Sequence, residues 1–335
     1  MSQSYLMPPI ADAAPMRVPA HEPLVEVWRG EMVEGVHHGS AVLLDPDGRV
    51  RLAVGDIEAA FYPRSAAKPM QAVAMVRAGL DVSDDLLALA ASSHSGEPLH
   101  LAAATRLLAT AGLDADALRN PSELPYDPVE REAWLRADRL PSRLAHNCSG
   151  KHAAMVVTCA AAGWAHDRYL DPMHPLQVAV RATIEDLTGQ RVATVTADGC
   201  GTPLFGISLH GLARAVQRLV LAPDDSPEQR VAAAMRRHPE MVAGSRRDVT
   251  TLMRAVPGLL AKDGFEGVQV AALPDGSSLA FKVADGADRA RLPALLALLA
   301  DSGVALDVLA PFAPTDLRPS GALTQTDPDP TEKKL

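Results

Sequence analysis

The sequence is poor in aromatic residues, which make up 4% of its 335 positions, whereas hydrophobic residues make up 47% and charged residues 22%. This hydrophobic content is ordinary for a folded globular protein, so the core must be built largely from Ala, Leu and Val. With so few rings, the sequence gives no indication of an aromatic cage or of a platform that stacks on nucleic-acid bases. The length suits one large domain or two small ones.

A cluster of positive charge is also missing, and the formal net charge is −9. This balance disfavours nucleic acid and anionic membranes as partners, and we interpret the acidity as favouring solubility. The sequence contains no run of about 18 uncharged apolar residues, which a membrane-spanning helix requires. Residues 1–20 lack the basic segment and apolar stretch of a signal peptide. We therefore expect a cytoplasmic protein without a nucleic-acid or membrane partner.

Cysteine is scarce, with three residues, Cys148, Cys159 and Cys200. An odd and small number in a chain of this length does not indicate a disulfide framework, and reduced thiols fit a cytoplasmic protein. Two of the thiols lie in compact polar segments, H-N-C-S-G-K-H at 146–152 and D-G-C-G at 198–201.

These two thiols could supply two ligands to a zinc ion, with a third ligand from His146, Lys151 or His152. One alternative is a pair of buried cysteines without metal, because the sequence contains no C-x-x-C pair. Another is a Cys148 nucleophile that works with His152, although no residue that would orient such a pair is evident.

The expected order of elements is strands, a helical centre, strands and a final helix. It lacks βαβ alternation and a G-x-G-x-x-G fingerprint, which argues against a Rossmann fold. A central antiparallel sheet flanked by helices fits this α+β order best. We expect a flexible N-terminus at 1–22, a folded domain at 23–312 with a surface excursion at 114–145, and a disordered tail at 313–335.

A serine and a lysine three residues apart, Ser65 and Lys68, open a predicted helix. On a helix, residues three apart share a face, so the amine could reach the hydroxyl. Neutral lysine can activate a serine if burial or a second cation lowers its pKa from about 10.4. The helix start also offers N–H groups for an oxyanion. Alone the motif is weak, because a serine at a helix start is commonly just a cap.

Two further segments strengthen the interpretation, S-S-H at 92–94 after an apolar helix and K-D-G at 262–264 before a strand. Serine β-lactamases and penicillin-binding proteins carry S-x-x-K, S-D-N and K-T-G in that order. The order and context agree here, although the letters of the later two motifs differ. The alternative is a capped helix end at Ser93 and a plain turn at Lys262. As a set, the three segments favour a serine hydrolase.

Six segments together carry a resemblance to a known family. The chain resembles the Rhizobium-type, thermolabile asparaginase II family over most of residues 25–312. The segments are P-R-S-A-A-K-P at 63–69, S-S-H-S-G-E at 92–97, N-C-S-G-K-H at 147–152, D-P-x-H-P at 171–175, D-G-C-G at 198–201 and R-H-P-E-M-V-A-G at 237–244.

The resemblance implies a fold similar to serine β-lactamases and glutaminases, a homodimer, and hydrolysis of L-asparagine to L-aspartate and ammonia. It implies two serine–lysine tandems, Ser65 with Lys68 and Ser93 with Lys262. A β-lactamase- or esterase-like acyl hydrolase, and a non-catalytic protein that binds a metal or an amino acid, are the alternative functions.

The resemblance further implies a zinc ion near the substrate, with a structural or modulatory role. The implied ligands are Cys148, Lys151 and Cys200, and the unusual lysine ligand comes only from the resemblance. The implied substrate-binding residues are Arg64, His94, Asp198 and Gly199.

Overall fold

The computed structural model describes residues 18–323. Helices and strands alternate irregularly along this part of the chain, as expected for an α+β protein. The strands are β1 (Glu22–Arg29), β2 (Met32–Leu44), β3 (Val50–Val54), β4 (Thr194–Ala197), β5 (Pro203–Gly206), β6 (Leu260–Gly264), β7 (Val268–Ala272), β8 (Ser278–Val283) and β9 (Leu317–Pro319). The α-helices are α1 (Lys68–Arg77), α2 (Asp84–Ala90), α3 (Pro98–Ala109), α4 (Pro128–Arg136), α5 (Ser149–Ala161), α6 (Pro175–Thr188), α7 (Leu209–Leu221), α8 (Pro227–Arg237), α9 (Pro239–Val242), α10 (Asp248–Ala255), α11 (Arg291–Asp301) and α12 (Leu306–Leu309).

One antiparallel sheet has the strand order β6-β7-β8-β2-β1-β9, and β3 pairs with β2 beside this path. With 13 residues, β2 is long enough to pair with β8 along one edge and with both β1 and β3 along the other. A turn at 45–48 joins β2 to β3. In this turn the Gly48 N–H donates to the Asp45 carbonyl at 2.8 Å, and Gly48 has a φ of +82°. The sequence-based prediction of an antiparallel sheet flanked by helices is confirmed.

The sheet is covered by helices. Helix α7 packs against β2, β7 and β8, whereas α11 packs against β1, β7 and β9. Every residue of β7 is buried, so both faces of this strand are covered. A second group of helices, α2, α5, α6 and α8, surrounds α1, which is buried from Lys68 to Val76. The helix that follows Ser65 is therefore a rigid central element.

The terminal segments differ from the expectation. The prediction of a disordered tail at 313–335 is wrong for residues 313–323. Strand β9 pairs with β1 at Val25 to Val27, and Leu317 is buried. A strand of three residues is too short to show an alternating pattern. Residues 324–335, and residues 1–17 of the predicted flexible N-terminus, lie outside the described residues. Within 18–323 no helix has the length and apolarity needed to cross a bilayer.

Candidate active site

Ser65 lies in a short 3-10 helix, Arg64–Ala67, that continues directly into α1. Strand β6 runs close beside this helix, and the contact is made at Gly264. A Cβ atom on Gly264 would lie 2.9 Å from the Pro63 carbonyl oxygen and 3.1 Å from the Ala66 nitrogen. The glycine of the K-D-G segment therefore lets the serine-bearing helix start approach the strand that carries Lys262.

The backbone immediately before Ser65 is held in an uncommon conformation. Arg64 has a φ of +51°, a region that non-glycine residues seldom occupy. Its Nε donates to Asp198 Oδ1 at 3.0 Å, and its guanidinium carbon is 5.8 Å from the centre of the Phe265 ring. Such strain persists only where surrounding contacts fix it, and it is concentrated at functional sites.

Lys68 connects the helix start to the second serine. Its side chain is 1% exposed, and its Nζ donates to Ser93 Oγ at 2.8 Å, to the Ser92 carbonyl at 2.6 Å and to Cys148 Sγ at 3.1 Å. Within the described part of the chain it forms no hydrogen bond with Ser65, the partner that the sequence indicated. Both serines nevertheless line one cavity of about 270 Å³.

Lys262 has a different partner from the one expected. Its Nζ donates to the carbonyl and to Oδ1 of Asp263, both at 2.7 Å, rather than to Ser93. Burial lowers the pKa of Lys262 to about 8. The negative charge of Asp263 opposes this shift, whereas the positive charge of Lys68 adds to it. Burial alone would raise the pKa of Asp263, but the charges of Lys262 and Arg247 hold it far below its usual range.

The loop that carries Ser93 is fixed on both sides. The N–H of Ser93 donates to the Val242 carbonyl, and that of His94 to the Asn147 carbonyl, both at 3.0 Å. His94 Nδ1 accepts from the Gly96 N–H at 3.1 Å, which assigns the proton to Nε2, and Nε2 donates to Ser149 Oγ at 2.8 Å.

Burial keeps the pKa of His94 well below its ordinary value, so the ring is neutral. Its stacking on His100, with the ring centres 4.9 Å apart, adds a second fixed contact. These contacts make His94 a residue that positions the Ser93 loop. A direct contact of His94 with substrate stays a prediction.

Asp198 and Gly199 lie in the turn between β4 and β5. Asp198 Oδ1 accepts from the Gly199 N–H at 2.8 Å in addition to Arg64. Both residues line a second cavity of about 400 Å³, which also includes Lys282. Glu266 borders this cavity and the one with the two serines, so the two cavities adjoin. The predicted contact of Asp198 with the substrate ammonium would require the substrate to extend past Glu266.

The three predicted zinc ligands converge. Lys151 Nζ donates to Cys200 Sγ at 3.1 Å and to Thr202 Oγ1 at 2.8 Å. A hydrogen bond from Cys148 lowers the pKa of Cys200 well below its ordinary value, and the charge of Lys151 adds to this effect. The same sulfur–sulfur hydrogen bond raises the pKa of Cys148. Each of the two sulfur atoms also accepts a hydrogen bond from a lysine, Cys148 from Lys68 and Cys200 from Lys151.

This donor set fits a zinc ion. Two sulfur atoms and an amine converge, and His152 directs a buried Nε2 with no ordinary hydrogen-bond partner towards Cys200. Zinc takes four such nitrogen and sulfur ligands in a tetrahedral arrangement. In residues 18–323 no group of three or more His, Cys, Asp or Glu side chains could hold a metal ion, so a zinc ion here would depend on the Lys151 amine together with the two sulfur atoms.

A sequence model of the family described as L-asparaginase II matches residues 25–319. The chain belongs to the L-asparaginase II family. This finding confirms the resemblance, and it makes the chain an amidohydrolase. No protein of curated function matches the sequence of this L-asparaginase II family member.

Several solved structures are similar to this L-asparaginase II family chain. A β-lactamase from Mycobacterium bovis is 17% identical, with 82% of this chain and 94% of that chain covered and a TM-score of 0.42. The protein Mglu in its native form is 16% identical, with 80% and 65% covered and a TM-score of 0.43. A probable glutaminase from Bacillus subtilis, complexed with 6-diazo-5-oxo-L-norleucine, is 13% identical, with 79% and 82% covered and a TM-score of 0.37.

Sequence reasoning missed part of the cavity wall of this L-asparaginase II chain. Asp263 lies inside the K-D-G segment but was given no role, and Arg247 lies three residues after Gly244, the end of another segment. Their charge was the available signal. Asn147 lies inside the segment at 147–152, and Tyr126, Phe265, Glu266 and Asp288 also line the cavity.

Proposed function

We propose that the protein hydrolyses the side-chain amide of L-asparagine to L-aspartate and ammonia through an ester on Ser65. The observation that carries the proposal is that two serines line one cavity and that a buried lysine behind it, Lys68, donates a hydrogen bond to one of them. Lys68 bonds to Ser93 across that site at 2.8 Å, and Ser65 lies at the start of the helix that Lys68 continues. Membership in the L-asparaginase II family supports the choice of amide.

In the first step Ser65 Oγ attacks the amide carbon, and Lys68, in its free-base form, accepts the hydroxyl proton. Backbone N–H groups in the first turn of the helix stabilise the negative oxygen of the tetrahedral intermediate. The carbon–nitrogen bond then breaks, and Ser93 gives its proton to the departing ammonia. Lys68, hydrogen-bonded to Ser93, returns a proton to it.

In the second step water attacks the Ser65 ester. Lys68 takes a proton from this water, the ester bond to Ser65 breaks, and the proton returns to the Ser65 oxygen, which releases L-aspartate. Lys262 supplies positive charge near Lys68. Like charges in a buried site disfavour protonation of both amines, and the lowered pKa is that of Lys262.

Zinc is part of the proposal as a bound ion held by Cys148, Lys151 and Cys200, with His152 beside them. When bound, it would supply positive charge that fixes the thiolates and the segment around Lys151. Because Lys68 donates to Cys148, this cluster also helps to orient the amine next to Ser93. We expect moderate activity without the metal, since no step of the reaction uses it.

The test is release of ammonia from L-asparagine and L-glutamine, with hydrolysis of a chromogenic β-lactam measured in parallel. We expect turnover of asparagine, and a preference over glutamine of about 1–3 kcal/mol, typical of one methylene in a fitted site. Hydrolysis of the β-lactam without amide turnover would instead support a β-lactamase-like acyl hydrolase. Absence of turnover with all three compounds would support a non-catalytic binding protein.

A further inference from the structure

Arg247 places a guanidinium group in the wall of the cavity that holds Ser65 and Ser93. Its side chain is 17% exposed, and its Nη2 donates to Asp263. Its guanidinium carbon lies 5.0 Å from the centre of the Tyr126 ring, which fixes the plane of the group. Among residues 18–323, no partner accepts a hydrogen bond from its Nε or Nη1.

The charges around Arg247 leave the inner wall of the cavity positive. Asp263 is shared between Arg247 and Lys262, so one carboxylate faces two cations. A small anion that enters the cavity therefore meets an excess of positive charge, and a guanidinium can hold a carboxylate with two parallel hydrogen bonds.

The loop that presents Arg247, residues 244–247, is anchored by a motif to which the mechanism gives no role. Glu97 accepts from the Ser245 N–H at 2.7 Å and from the Ser245 hydroxyl at 2.6 Å. Gly244 has a φ of +138°, and a Cβ there would lie 2.6 Å from Glu97 Oε1. The Arg247 side chain is thus held in place before any ligand binds, which reduces the entropic cost of binding.

A second anchor holds the same loop from its outer side. Arg246 donates to Asp127 Oδ1 at 2.9 Å and to Glu130 Oε1 at 2.6 Å. Two neighbouring arginines therefore have different tasks. Arg246 is engaged by two carboxylates away from the cavity, whereas Arg247 lines the cavity with a guanidinium group that is only partly hydrogen-bonded.

Two acidic side chains, Glu266 and Asp288, also line the cavity. Both are exposed, whereas Arg247 is mostly buried, so the negative charge lies nearer to solvent than the guanidinium group. Asp288 Oδ1 also accepts from Arg291 Nε at 2.9 Å, which offsets part of its charge. This polarity matches a small zwitterion, and a volume of about 270 Å³ suits a single amino acid.

We propose that Arg247 binds the α-carboxylate of the substrate and that the loop at 244–247 selects amides of α-amino acids. The inference rests on the proposed function, and it names how that site recognises its substrate. Arg247 acts in binding, and the reacting groups remain Ser65, Lys68 and Ser93.

The test compares L-asparagine with 3-aminopropanamide, which has the same amide and amine but no α-carboxylate. We expect Arg247→Gln to lower kcat/KM for asparagine by about 10- to 150-fold, the range for a hydrogen bond to a charged group. The loss should lie mainly in KM, because the contact is equal in the ground and transition states. The kcat/KM for 3-aminopropanamide should change by less than about twofold. Arg247→Lys keeps the charge, so its kcat/KM for asparagine should lie between the values of the wild type and of Arg247→Gln.

The matched control is Arg254→Gln, since Arg254 is exposed and pairs with Glu240 outside the cavity. This substitution should leave kcat/KM unchanged for both substrates. An equal loss with both substrates in Arg247→Gln and Arg247→Lys would overturn the inference, because it would mean that Arg247 acts only through Asp263. Circular dichroism and thermal unfolding check that each variant is folded.

A calorimetric titration separates failure of the inference from failure of the proposed function. L-Aspartate and β-alanine differ only in the α-carboxylate. The wild-type protein should bind L-aspartate more tightly, and Arg247→Gln should lose this difference. If asparagine is not hydrolysed but the difference in binding is present and lost on substitution, the proposed reaction is wrong and carboxylate recognition stands. An equal preference in both proteins would contradict the role of Arg247.

Discussion

In the proposed mechanism the two serines have separate tasks, and Ser93 is the one to which Lys68 donates a hydrogen bond. If Ser93 transfers a proton to ammonia, Ser93→Ala should lower kcat for asparagine by about 100- to 10,000-fold, the range for a general acid–base contribution. Steady-state ammonia release would measure this, and Ser302→Ala is a control because its hydroxyl donates to the Leu298 carbonyl of its own helix at 2.7 Å. Full activity of Ser93→Ala would exclude the relay.

Lys262 should also leave a signature in the pH dependence of stability. Its pKa is about 8 in the folded protein, against 10.5 for an unperturbed lysine, so the unfolded state binds more protons between these values. The free energy of unfolding that this group contributes must therefore rise with pH between about 8 and 10.5, by about 3 kcal/mol in total.

Urea unfolding of the wild type and of Lys262→Met at several pH values would measure this rise. The substitution removes the titrating group, so the difference in stability between the two proteins should change between pH 8 and 10.5 and stay constant from pH 6 to 7. A difference that is constant across the whole range would show that Lys262 has an ordinary pKa.

At the scale of elements, the close contact between the helix start and β6 depends on Gly264. Because a Cβ there would lie 2.9 Å from the Pro63 carbonyl, Gly264→Ala should push the start of α1 away from the strand. We expect a loss of about 1–3 kcal/mol in stability, typical of overpacking, together with a lower kcat. Gly35→Ala in β2 is the matched control, since its Cβ would meet Val27 at an ordinary 3.9 Å. Equal behaviour of the two variants would contradict the packing argument.

The elements also show what could be predicted from the sequence. Alternating runs on both sides of D-P-D-G at 45–48 indicate the β2–β3 hairpin, and the residues at 150–163, 173–188 and 227–237 indicate α5, α6 and α8. Helix α7 carried a usable signal, with Ser208 as its cap and apolar residues at helical spacing, but was not assigned. Strands β4 and β5 have four residues each, too few to show a period.

Within the site, the sequence indicated which residues take part but not how they pair. The motifs located both serines and both lysines, because each lies in a recognisable segment. The partner of each lysine was not predictable, since Lys68 reaches Ser93 across 25 positions and Lys262 bonds its own neighbour, Asp263. The pairing of Lys68 with Ser93 depends on how distant segments pack together, which no short segment encodes.

At the scale of the whole molecule, the thiol cluster predicts a bound metal. Elemental analysis of protein purified without chelator should show zinc, and the Cys148→Ser, Cys200→Ser double variant should lose it. Cys159→Ser is the control, because this buried cysteine lies outside the cluster. Zinc retained in full by the double variant would place the ligands elsewhere. The homodimer and the cytoplasmic location stay predictions, the first testable by sedimentation of the full chain.

The most direct test of the central claim is mass spectrometry of enzyme quenched during turnover of a slowly hydrolysed β-ester of L-aspartate. The account predicts an aspartyl adduct on the peptide that contains Ser65, and its absence in Ser65→Ala, which should bind asparagine but release no ammonia. An adduct on Ser93 with Ser65 unmodified, or an active Ser65→Ala enzyme, would contradict the proposed mechanism.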